Sequence, residues 1–170
     1  MNEIIRNAKY EVVIAICLAA CLSTIALAGS KVEEFRAAAA ENEGCRLIPY
    51  QDLQSSCREN YGEQRNWCTG ERERGCGDLK KDDLKDREIA KERRDNASQC
   101  LVHRKYVRKI YADAVDRLRS DQDSSDNDAE VRSLAKVIKG KIEATFENHD
   151  STIRDTERRR DTCDNVYNGR

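Results

Sequence analysis

The sequence predicts an all-α fold: a small, disulfide-stapled three-helix bundle running up-down-up behind an N-terminal signal or anchor segment. Three observations predict it. Val12 to Gly29 is an uncharged, mostly apolar run of eighteen residues in a chain that is 37% charged. Six of the eight cysteines lie beyond that run, at Cys45, Cys57, Cys68, Cys76, Cys100 and Cys163. Around and after them, apolar residues recur at threes and fours over long stretches, which is the period of one helix face.

The leading run has three open readings. Ala26-Leu27-Ala28 is a small-x-small site placed where a secretory signal is cut. An uncleaved anchor is the second, since a span needs roughly 17–25 apolar residues. The third is a lipoprotein signal, in which Leu18-Ala19-Ala20 precedes an acylated Cys21, although Leu22 to Leu27 stays apolar where such a tether is polar. Each reading exports the rest of the chain. The expected location is therefore extracytoplasmic, periplasmic or secreted, with membrane contact only through this segment.

The remaining chain is long enough for one small domain. The leader carries Arg6 and Lys9 against Glu3 and Glu11, so the net charge of −1 is unchanged without it. That balance argues against nucleic acid, which wants a clearly basic face. Two Phe, one Trp and one Pro leave little material for a deep core, and small exported domains in that position rely on disulfides. The chain divides into residues 1–30 as signal or anchor, 31–44 as a short helix or spacer, and 45–170 as the cysteine-stapled helical domain.

Within residues 31–44, four alanines flanked by glutamates favour helix, and Gly44 ends it. Pro49 then suits the first turn of the next helix. Tyr50, Leu53, Cys57, Tyr61, Gln64 and Cys68 share one face of that helix, with Gly62 as a weak point. A glycine-marked turn from Thr69 to Gly77 follows. The second helix is expected from about Asp78 to Arg119. Its first half is mostly charge, and its second half carries a stripe of Cys100, Val107, Ile110, Tyr111, Ala114, Val115 and Leu118. An acidic loop, Ser120 to Asp128, leads to the third helix, which Asn127 and Glu130 open as a capping box. Val131, Ala135, Ile138, Ile142, Phe146, His149 and Ile153 follow an eleven-residue rhythm, close to a straight helix. Three helices laid side by side over their full length would pair Cys68 with Cys76, Cys45 with Cys100 and Cys57 with Cys163.

The chemistry-bearing residues point to a scaffold. No two cysteines stand in a C-x-x-C spacing, so zinc and redox motifs are not indicated. Cys100 and His103 could supply two metal ligands, but nothing completes the set. No metal or other cofactor is expected. Only His103 and His149 could act as imidazole bases, and each falls within a helical pattern. Asp121, Asp123 and Ser125 match the first three ligand positions of a calcium loop. Asp126 stands where that loop needs glycine, and Arg132 where it needs a bidentate glutamate.

Two features remain as candidate binding groups. One is the basic cluster Arg104, Lys105, Arg108 and Lys109. The other is the acidic set Asp121, Asp123, Asp126 and Asp128. The function expected is an exported, non-catalytic helical binding or scaffolding protein at the cell envelope or outside the cell. Its expected partner is another protein or an envelope surface. Two alternatives stand beside it. One is a small disulfide-rich inhibitor of a wall-degrading hydrolase such as a lysozyme, and the other is a membrane-tethered helical spacer.

Overall fold

The computed structural model describes residues 31–69 and 74–170. The leader, with Cys17 and the lipidation candidate Cys21, lies outside the described residues, as does the middle of the Thr69–Gly77 turn. The described chain is all helical and carries four helices rather than three. The described part of α1 spans residues 31–40. A 3-10 turn at Cys45–Leu47 leads to α2 (Gln51–Trp67), α3 (Leu84–Asp123) and α4 (Ala129–Tyr167).

α3 and α4 form a long antiparallel hairpin, and the other two helices pack on its loop end. At 1.5 Å per residue, the forty residues of α3 reach about 60 Å, whereas α2 reaches about 25 Å. α2 therefore covers only half of α3. Asp52 near its start pairs bidentately with Arg117 at 3.0 and 2.7 Å. Cys68 at its end is bridged to Cys100.

The fourth helix comes from a stretch with little apolar content. Phe35 and Ala38 lie one turn apart on α1 and are buried in the main core, so this short segment is part of the domain's interior. Arg36 forks onto Glu130 of α4 at 2.6 and 2.8 Å. The α4 residue Lys141 donates to the carbonyls of Ala39 and Glu41 at 2.7 and 2.8 Å. Those carbonyls are the ones a helix end leaves unpaired, and a lysine there also suits the helix dipole. Gly44 follows with φ 76°, a left-handed conformation that costs glycine little. It turns the chain so that Leu47 and Ile48, both with no exposed surface, enter the core.

Three sequence expectations are corrected. The second helix begins at Leu84, not near Asp78, because Asp83 caps it by accepting from the Lys85 N–H at 2.8 Å. It ends at Asp123 rather than Arg119. The bridges are Cys45–Cys57, Cys68–Cys100 and Cys76–Cys163, with Cα separations of 5.6, 5.2 and 4.9 Å, so none of the expected pairings is formed. The cause is the short α2. Gly75, beyond its end, already lies against the first half of α3, where its carbonyl accepts from Arg93 at 2.6 Å. Cys68 is thus level with Cys100, while Cys76 packs in a cluster with Ala90, ten residues nearer the start of α3.

The interior is in two parts. The main core takes Phe35, Leu47 and Ile48 together with the α3 stripe Val107 to Leu118 and the α4 residues Val131, Ala135, Ile138 and Ile142. A small second core at the far end holds Cys76, Ala90 and Cys163, with Leu79, Val166 and Tyr167 against it. Between them the hairpin is joined by polar side chains. Thr156 is the one buried polar residue among the described residues. Its hydroxyl accepts from Arg104 and, at 3.2 Å, from Arg159.

Candidate functional site

The basic cluster named from the sequence lies largely in the hairpin seam. Arg104 donates to the Thr152 carbonyl at 3.3 Å and to Thr156. Lys105 meets Glu157 at 2.6 Å. Arg108 pairs with Asp150 at 3.0 Å and lies over the Phe146 ring at 3.6 Å, a cation–π placement. Lys109 is exposed. Three of the four side chains thus hold α3 to α4.

The acidic set divides as well. Asp121 accepts from Lys31 at 2.8 Å, from Tyr50 at 2.9 Å and from Asn127 at 3.1 Å, tying α1, the α2 entry and the α3–α4 loop together. Burial pushes this carboxyl up, but those hydrogen bonds and the Lys31 charge outweigh burial and hold it below its ordinary range. Burial and the Asp121 hydrogen bond push the Tyr50 hydroxyl up. Asp128 caps α4 by accepting from the Glu130 N–H at 2.8 Å. This places the cap at Asp128 rather than Asn127, whose amide donates instead to the Asp121 carbonyl at 2.8 Å. Asp123 and Asp126 are exposed. Among the described residues no group of three or more His, Cys, Asp or Glu could hold a metal ion.

The six described cysteines are all bridged. Cys100 is therefore not available as a ligand beside His103. The imidazole of His103 is instead 3.2 Å from the Asn60 side-chain oxygen, and its carbonyl accepts from Gln64 at 3.3 Å.

A different site emerges from the fold. α2 and α4 both pack on α3 and leave an open cleft of about 640 Å³ between them. Its α2 wall carries Arg58, Tyr61, Gly62 and Arg65, and Arg46 joins from the 3-10 turn. Arg58, Gly62 and Arg65 stand at i, i+4 and i+7, so they share one helix face. The α4 wall carries Thr145, Asn148 and His149, and Tyr111 of α3 lies between the walls.

Arginine dominates the electrostatics of this cleft. Three guanidinium groups face one lining carboxylate, Glu43. Arg46 has a distant partner in Glu41 at 3.7 Å. Neither Arg58 nor Arg65 has an ion-pair partner among the described residues. Another hollow of about 500 Å³, near Lys31 and Arg117, is unlike it. There the cations are neutralised by Asp121 and Asp52.

His149 packs on Tyr111 with ring centroids 5.0 Å apart at 45°. Burial, and then the Arg108 charge, lower its pKa against the opposing pull of Asp150, which favours the neutral ring. Burial, with the neighbouring Tyr61 hydroxyl, pushes the Tyr111 hydroxyl up. The arrangement can offer guanidinium forks, an amide and a neutral imidazole to a ligand.

Sequence reasoning named His149 as a helix-face residue and one of two possible imidazole bases, and did not single out Arg46, Arg58 or Arg65. Arginines at positions 58 and 65, bracketing a glycine, were the signal present in the chain. Nothing local shows that they face a cavity. Among the described residues no helix is long and apolar enough to cross a membrane. No protein-family model, curated protein or solved structure matches the chain.

Proposed function

We propose that residues 31–170 are an exported, non-catalytic binding protein that works at the cell envelope or outside the cell, and that the cleft between α2 and α4 is its binding site. The observation that carries this reading is the concave, arginine-lined cleft on a disulfide-stapled scaffold. Three bridges suit an oxidising compartment. A rigid frame loses little freedom on binding, which favours recognition over induced folding. The partner is another protein or an envelope surface, and the leader is removed or holds the chain at the membrane.

A tethered spacer is the second reading, favoured by the reach of the α3–α4 hairpin. It requires that Val12 to Gly29 remain in the mature chain.

A tag placed after Arg170 allows fractionation of host cells. The chain is expected outside the cytoplasm, and the purified protein is expected to be retained saturably on isolated envelopes. Recovery in the cytoplasm, or retention that rises linearly without saturation, overturns the reading.

A further inference from the structure

We propose that the α2–α4 cleft binds a sugar-based polyanion, with Arg58 and Arg65 engaging successive anionic groups of one polymer. This deepens the binding reading above and names its ligand class.

The geometry of charge is the first argument. Seven helical steps lead from Arg58 to Arg65, which sets them about 10 Å apart along the axis. They lie on the same face and have no ion-pair partner among the described residues. Arg46 adds a third guanidinium at the rim. Guanidinium forks match carboxylate and phosphate in a bidentate way. One small anion can satisfy one fork, whereas two forks at this spacing suit a ligand with repeated charges.

The walls favour a sugar polymer over a peptide. An extended peptide is usually read through its backbone by a sheet edge, and a helical one through an apolar groove. Both walls here are helices, whose interior backbone groups are already paired, and the lining mixes polar and apolar surface in equal measure rather than forming an apolar groove. What they offer is side-chain chemistry: the Asn148 amide and the His149 imidazole beside the arginines. Hydroxyl-rich rings with acidic groups suit such a lining.

Gly62 supplies the second argument. It lies between the two arginines, and a side chain built there would meet nothing within 4 Å. The missing side chain leaves a gap through which a chain could run from Arg58 to Arg65.

The test is titration calorimetry of the purified, bridged full chain with oligogalacturonate and with polyribitol phosphate, which separate carboxylate from phosphate as the source. Galacturonate monomer and polyglutamate of matched charge serve as comparisons. At least one sugar polymer is expected to bind saturably, at least about tenfold more tightly than the monomer or polyglutamate. Arg58→Gln and Arg65→Gln are each expected to weaken it about tenfold. Gly62→Trp keeps the charge, fills the gap and is expected to abolish binding, while Lys81→Gln with Lys85→Gln at the far end leaves it unchanged.

Three results overturn the proposal: neither polymer binds, polyglutamate binds as tightly, or the far-end lysine pair matters as much as the arginines. Circular dichroism confirms that each variant is folded. The readouts also separate the two claims. Polymer binding by a chain found in the cytoplasm would sink only the export reading, and an exported chain that binds neither polymer would sink only this one.

Discussion

Ile138 and His149 lie about three turns apart on α4, and they stabilise the same helix in different ways. Ile138 has no exposed surface and sits in the main core. Ile138→Ala is expected to cost about 2–5 kcal/mol in chemical denaturation, through lost transfer energy and an unfilled cavity. His149 is instead a pH-dependent contact. Tyr111 and Arg108 face it from α3 and Asp150 from α4, while Arg46, Arg58, Arg65 and Glu43 line the same cleft. Its folded pKa is depressed below the ordinary 6.5, so the unfolded chain takes up a proton first as pH falls. Stability is then full above 6.5 and declines below it, toward the folded value. His149→Phe is expected to flatten that part of the curve, and an unchanged slope would contradict the assignment. Asp121 has the same sign at lower pH. Its depressed pKa contributes stability that is present above the ordinary 3.8 and lost as pH falls below it.

At the scale of elements, the helices show what a period can and cannot reveal. Every residue of the α3 stripe from Cys100 to Leu118 is buried, because a 3.6-residue repeat sustained over several turns has one physical solution. Leu47 and Ile48 were not legible, because a turn of three residues shows no period. The burial of Phe35 and Ala38 was not legible either, because two core residues one turn apart on a ten-residue stretch set no sustained period. The bridge pairing was not legible either, since it depends on how far α2 reaches along α3. The arginine cleft was hidden for a related reason: its walls come from the 3-10 turn, α2, α3 and α4, and only packing brings them together. Helix interiors also carry two replaceable weaknesses. Gly62 and Gly140 sit within α2 and α4 with open space at the Cβ position. Gly62→Ala and Gly140→Ala are each expected to raise stability by about 0.5–1 kcal/mol, read as a rise in the denaturation midpoint.

At the scale of the molecule, the bridges matter unequally. The loops they close differ in length, with separations of 12, 32 and 87 residues. Chain entropy alone makes the stabilisation rise from about 3 kcal/mol for the shortest to about 4.5 kcal/mol for the longest. The longest, Cys76–Cys163, also sits in the smaller core, which holds only Ala90 besides the two cysteines as fully buried residues. Replacing both cysteines with alanine is expected to expose the start of α3 and the end of α4 to rapid hydrogen exchange, while Val107 to Leu118 stay protected. Uniform loss of protection along the hairpin would show instead that the two cores are one cooperative unit.

The measurement that bears most directly on an exported, bridged binding scaffold is the intact mass of the protein from its native host, with its disulfides mapped without reduction. The expected result is a chain whose six cysteines beyond the leader react with alkylating reagent only after reduction. Its peptides are expected to be linked as 45–57, 68–100 and 76–163. Cysteines among these six that react without reduction would contradict the account, because neither the compartment nor the scaffold that holds the arginine cleft would then stand.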